Sequence, residues 1–139
     1  MKSILLCLAV VFLCGCGPPD PGLYKVSGTV SFDGQSVEKG TIVFEPVDSV
    51  PGNGAGGEIH HGVFTLQARQ GKKKVSIRAT RPLPGKWNNV MKVPAIQQYI
   101  PAYYNSKTRL TAEVLPEGEN HFEFNLALDA KTAAKGDSR

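Results

Sequence analysis

The strongest constraint on this chain is a period of two that recurs along most of its length. Tyr24, Val26, Gly28, Val30 and Phe32 alternate with Lys25, Ser27, Thr29 and Ser31, the pattern of a strand with one face on a core and one in water. Asp33-Gly34 follows, a strong turn dipeptide. Ile42 and Phe44 share one face of a second strand, which Glu45-Pro46 closes. Gly52-Asn53-Gly54-Ala55-Gly56-Gly57 is too rich in glycine for a strand and reads as an open loop. A short strand near 58–60 turns at His61-Gly62 into one whose Phe64, Leu66 and Ala68 point inward, and Val75, Ile77 and Ala79 mark the next. Residues 81–105 form a long irregular connection. Leu110, Ala112 and Val114 then define a strand that Pro116-Glu117-Gly118-Glu119-Asn120 turns into a last one, with Phe122, Phe124, Leu126 and Leu128 facing in. No window carries an amphipathic helix of ten or more residues. About seven short strands with Gly, Pro and Asn turns predict an all-β fold, an antiparallel Ig-like β-sandwich.

The amino terminus follows a different pattern. Lys2 precedes an apolar run over residues 4–13, about ten residues where a spanning helix needs roughly 20. Gly15, Gly17, Pro18 and Pro19 stop a helix from continuing. A charged start, a short apolar stretch and small residues make a secretory signal peptide. Its end, Leu13-Cys14-Gly15-Cys16, resembles a bacterial lipobox. That resemblance implies removal of residues 1–15, acylation of the Cys16 thiol with diacylglycerol, and attachment to a membrane through that lipid. Residues 16–23, with Pro18, Pro19 and Pro21, form a Pro/Gly-rich tether whose six central residues reach about 20 Å. Gly17, where some bacteria use an aspartate to retain lipoproteins at the inner membrane, favours the outer one.

About 124 residues remain after such cleavage, one domain over 24–128 and a tail over 129–139 with no apolar period, read as disordered. The domain has no thiol, because Cys7 and Cys14 leave with the signal and Cys16 is the lipid acceptor. It therefore rests on packing rather than disulfides. The formal charge of +4 is a mild excess, taken as interspersed with acids and serving solubility. Export makes nucleic acid an unsuitable partner. The one dense run, Lys72-Lys73-Lys74, suits anionic headgroups or an acidic polysaccharide. The preferred reading is a solvated strand start in which Lys72 and Lys74 face water and discourage edge pairing. Parity with Val75 points Lys73 inward, its stem on the core edge and its ammonium in water.

Several segments carry a family likeness. Val26-Ser27-Gly28-Thr29-Val30-Ser31-Phe32-Asp33-Gly34 resembles the opening strand and turn of carboxypeptidase regulatory-like (transthyretin-like) domains, and Gly40-Thr41-Ile42-Val43-Phe44-Glu45-Pro46 their second strand. Gly62-Val63-Phe64-Thr65-Leu66 and Gly71-Lys72-Lys73-Lys74-Val75-Ser76-Ile77 are similar to the hairpin that follows. With Ile100-Pro101-Ala102-Tyr103-Tyr104-Asn105-Ser106 and Leu110-Thr111-Ala112-Glu113-Val114, the chain resembles small lipoproteins of planctomycete-type bacteria that carry this domain. The likeness implies a transthyretin-like sandwich over 24–128 and brings no established activity. His61-Gly62 stands where the family often has Asp-Gly, and Lys73 where it commonly has an aromatic.

Little in the domain invites catalysis. It has no cysteine nucleophile and no Gly-x-Ser-x-Gly elbow. Its three histidines are His60, His61 and His121. The first two are neighbours and point to opposite faces of extended chain, so no metal is expected there. Asp33, Asp48 and Asn53 are too scattered for calcium. The hydroxyisourate hydrolase that shares the transthyretin-like fold ends in Tyr-Arg-Gly-Ser, whereas this chain ends Lys135-Gly136-Asp137-Ser138-Arg139. No cofactor and no enzymatic activity are expected. In the connection 81–105, Trp87, Tyr99, Tyr103 and Tyr104 either meet a ligand, stacking on sugars or peptides, or fold back to cap the sandwich. The expected function is that of a lipid-anchored, non-catalytic binding or structural module at the cell envelope, with an envelope protein or polysaccharide as partner. The alternatives are a carbohydrate-binding module built on the aromatics of 81–105, or an envelope hydrolase with a histidine beside a Ser or Asp in a cleft. Cys16→Ser is expected to abolish lipidation and leave the precursor unprocessed by lipoprotein signal peptidase; normal maturation of that variant, read by mass, would refute the anchor.

Overall fold

In a computed structural model the described residues are 22–48 and 54–128. Residues 1–21, 49–53 and 129–139, among them the expected signal peptide, Cys16, most of the expected tether, the centre of the glycine-rich segment and the tail, lie outside them. Nine strands follow in order: β1 (Leu23–Phe32), β2 (Gln35–Ser36), β3 (Lys39–Pro46), β4 (Ala55–His60), β5 (Val63–Arg69), β6 (Gly71–Asn88), β7 (Val93–Gln98), β8 (Thr111–Val114) and β9 (Asn120–Leu126). A single 3-10 turn, Ala102–Tyr104, precedes β8. The protein is all-β, its strands joined in one sheet curled as a half-barrel around the core.

The path across the sheet runs β1-β5-β4-β3-β6 through antiparallel neighbours, with β9 also on β1 and β8 also on β6. Each antiparallel step reverses direction, so β6 runs the way of β1 and β8 runs against both. The turn at 115–119 reverses the chain once more, and β9 must then lie parallel to β1. It does, from Val26↔Asn120 to Phe32↔Leu126. Among the described residues this is the one parallel pair in an otherwise antiparallel sheet, as the expected antiparallel fold requires of the rest.

Two hairpin turns set the register. Asp33 (φ 48°) and Gly34 (φ 80°) join Phe32 to Gln35, and His61 (φ 50°) and Gly62 (φ 76°) join His60 to Val63. Both central residues have positive φ, the two-residue turn that matches strand twist. His61 thus occupies the position where Asp or Asn is commoner, and the turn survives. A different constraint fixes Gly28: a Cβ there would lie 1.9 Å from the Phe122 carbonyl oxygen, so β9 approaches β1 at its bare backbone.

The inward parity read from the sequence places the core. Val26, Val30, Ile42, Phe44, Phe64, Leu66, Ala68, Val75, Ile77, Ala79, Ala112, Val114, Phe124 and Leu126 are all buried, and Ile59, to which that parity assigns no face, joins them. Phe44 lies at the centre, its ring 6.1 Å from Phe64, 6.0 Å from Phe122 and 6.4 Å from Phe124, within the range of favourable aromatic pairs. Four expectations need correcting. Leu128 is 66% exposed, because β9 ends at Leu126 and the alternation ends with it. Strand β4 begins at Ala55, so Gly56 and Gly57 pair with Val43 and Ile42 instead of forming loop; bare glycine backbone lies flat against the neighbouring strand. Lys72 and Lys74 are exposed, but on a strand flanked by β3 and β8 rather than at an edge. Lys73 does point inward, and it is buried to 3% exposure between Pro46 and Ala112, deeper than a core-edge position.

Phe44→Ala removes the ring that three other phenylalanines share. It is expected to cost about 3–5 kcal/mol in denaturant unfolding, and a loss below about 1 kcal/mol would contradict this core.

Candidate functional site

The segment 81–105, expected to be irregular, is mostly a β-hairpin. Strand β6 continues past the body of the sheet to Asn88, and β7 returns beside it through Thr80↔Gln98, Arg81↔Gln97 and Pro82↔Ile96, then Trp87↔Pro94 and Asn88↔Val93. Residues 83–86, with Pro84 and Gly85 (φ 70°), bulge opposite Ala95 alone. Proline inside both strands hid the hairpin in the sequence, since a proline withdraws a ladder donor and argues against strand. The paired part of β7 carries the arm about 17 Å beyond the sheet.

Cross-strand partners share a face, as do residues two apart on one strand. Pro82, Ile96, Pro94 and Trp87 therefore form one face of the arm, and it is open: Trp87 is 55% and Ile96 67% exposed. At the tip Val90 is 92% and Met91 71% exposed, and Val93 beside them 46%. The tip is held rather than loose, because the Asn88 side-chain oxygen accepts from the backbone N–H of Val90 and of Met91, both at 3.0 Å. Arg81 points to the other side, its guanidinium 5.3 Å from the centre of the Tyr99 ring, a cation–π distance.

The four aromatics singled out from the sequence part company here. Trp87 stands on the arm. The tyrosines pack against the core. Tyr99 sits at the arm's base with its ring 5.6 Å from Phe32; burial pushes its phenol above the ordinary value, with Arg81 pulling it back and Glu38 adding to the rise. Tyr104 is 1% exposed, and its hydroxyl donates to the Ala127 carbonyl (3.1 Å) and accepts from the Ala127 N–H (2.9 Å). The Tyr103 hydroxyl donates to the carbonyls of Ala127 and Leu128. These two tyrosines clasp the chain as it leaves β9.

The histidines fall apart as a group. His60 meets Glu58 at 2.8 Å and His61 meets Glu38 at 2.7 Å, all four exposed. His121 stands 3.3 Å from the Ser27 hydroxyl as its direct partner in the β1–β9 ladder. That pair lies exposed on the outward face of β1 and β9. Among the described residues, no three His, Cys, Asp or Glu side chains come together to hold a metal ion.

Charge supplies a signal that the overall balance concealed. Between Glu58 and Glu113 the chain contains no acidic residue at all, yet ten of its 16 Lys and Arg. The charges are segregated, not interspersed, and the arm lies inside the basic segment. A run of acid-free sequence around Trp87, Val90 and Met91 could have marked this surface without any coordinates.

Comparison with protein-family models, with characterised proteins and with solved structures returns no match to this chain.

Replacing the clasp tests its structural role. Tyr104→Phe leaves the ring in place and strips a partner from the Ala127 N–H, with an expected loss of about 1–3 kcal/mol in thermal or denaturant unfolding; an unchanged stability would show that the hydroxyl holds nothing.

Proposed function

We propose that this protein is an exported lipoprotein, held to a membrane through Cys16, whose β-sandwich serves the cell envelope as a non-catalytic contact module. The observation that carries the reading is the arm. Its apolar side chains stand in water on an element that contributes nothing to the core, and a cluster of that kind marks a contact surface. The signal-like residues 1–15 and the lipobox-like Leu13-Cys14-Gly15-Cys16 supply the anchor, and two or more acyl chains would make it durable at roughly 0.8 kcal/mol for each buried CH₂. The sandwich with its tyrosine clasp is then a rigid mount. The family-like segments fit a small envelope lipoprotein of this kind.

A carbohydrate-binding module is the second reading, and the exposure of Trp87 favours it. Its surroundings favour it less: sugar recognition pairs an aromatic platform with polar side chains, whereas Trp87 shares its face with Pro94, Ile96 and Pro82, and the Asn88 oxygen is committed to the tip.

The absence of cysteine from residues 24–128 gives a direct test. A photo-crosslinker attached through Val90→Cys in cells is expected to give adducts with an envelope component, while the same label on exposed Gln70→Cys, at the other end of the sheet, gives none. Equal yields from the two positions, or none from either, would refute the arm as the contact surface.

A further inference from the structure

We infer that the β6–β7 arm is a membrane-docking finger, whose apolar face and tip enter the interface of a phospholipid bilayer containing anionic lipids. The inference rests on the contact-module reading above and names its partner.

The composition of the arm fits that occupant. Trp87, Pro94, Ile96 and Pro82 share one face, and Val90 and Met91 extend it at the tip. An indole on such an edge is the side chain most suited to the headgroup boundary. Lys86 and Lys92 flank the apolar residues, Arg81 lies at the base, and no carboxylate occurs in the arm. Glu38, whose charge reaches Tyr99 at the arm's base, is already engaged by His61 at 2.7 Å. Cations beside an apolar wedge add attraction to anionic headgroups.

The same features disfavour other occupants. A second copy of the arm would bring Lys86 and Lys92 against their own like, with no acid to receive them. Strand addition by a partner protein needs a regular row of backbone donors, and Pro82, Pro84 and Pro94 remove three from the arm. The geometry also carries a consequence for orientation. Leu23, where the anchored end enters the sheet, pairs with Arg69, whereas the arm leaves from the opposite end at Thr80 and Gln98. Anchor and arm reach one bilayer together when β6 lies along it. Pro82 continues the outward parity of Arg78 and Thr80, so the side of β6 turned to the membrane carries the Arg78 cation next to the apolar face.

Trp87 is the only tryptophan of the chain, so its emission reports the arm alone, whatever the lipid anchor does. The lipidated protein is reconstituted into vesicles of equal parts phosphatidylglycerol and phosphatidylcholine. The expected result is a blue-shifted Trp87 emission, quenched by brominated acyl chains. The pair Val90→Ser and Met91→Ser, at positions too exposed to affect folding, is expected to reduce the quenching about tenfold while the protein still floats with the vesicles. Vesicles of phosphatidylcholine alone are expected to give clearly less quenching, and equal quenching there overturns the role of the cations. A water-like Trp87 spectrum on protein that floats with the vesicles overturns the inference and leaves the anchor intact. Protein that does not float speaks against the anchor instead, and Trp87 quenching on adding vesicles to it then decides the inference by itself. A blue shift without vesicles, appearing as the protein self-associates or on adding an acidic polysaccharide, assigns the arm to that occupant and overturns the inference.

Discussion

The fold depends on one closure, a short turn that bridges the two ends of a curled sheet. Strand β8 lies on β6 and β9 on β1, at opposite ends of the strand order, yet residues 115–119 alone connect them. The sheet must therefore bend until its ends come within the span of a five-residue turn. Asn120 secures that turn: its side-chain oxygen accepts from the Leu115 N–H at 2.8 Å and its amide donates to the Leu115 carbonyl at 3.0 Å. The side chain thus imitates a strand partner, satisfying backbone groups that would otherwise go unpaired at a half-buried position. Phe122 and Phe124 arrive with β9 and complete the cluster around Phe44. Closure and core are formed by the same strand.

Much of this was legible in the sequence, for a physical reason. Where one face of a strand is buried and the other wet, alternation must appear in the residues, and the register follows from the turns. Ile42 and Phe44, or Phe64, Leu66 and Ala68, could hardly be read otherwise. The parallel pairing of β9 was not legible residue by residue. It follows only from the parity of the whole strand order, which no local window contains. Gly56 and Gly57 misled because glycine reports a loss of conformational freedom on ordering but not whether a neighbour compensates for that loss; here β3 does.

The arm escaped for the converse reason. Its strands lie outside the core, so no burial imposes alternation, and Pro82, Pro84 and Pro94 erase what remains of a strand signature. The segment 81–105 is rich in aromatics, but Trp87 and the three tyrosines do two different things. The tyrosines are amphipathic fillers: Tyr103 and Tyr104 each bury a ring and place a hydroxyl on the exiting chain. Side chains that satisfy a backbone in this way have little left for a ligand. Trp87 makes no such contact inward, and its neighbours Val90 and Met91 could not do so either.

That division explains why the arm can afford to be apolar. A strand edge rich in exposed hydrophobic residues normally invites aggregation, and this chain counters it by two means. Prolines break the run of backbone donors, and a basic segment free of acids makes one arm repel another. Both features oppose the pairing of one arm with another and leave the apolar face available. An arm whose only purpose was to cover its own core would need neither. The repulsion vanishes against an anionic surface, where the same cations become attractive, so the features that oppose arm-to-arm pairing are those that would bring the arm to a negatively charged bilayer.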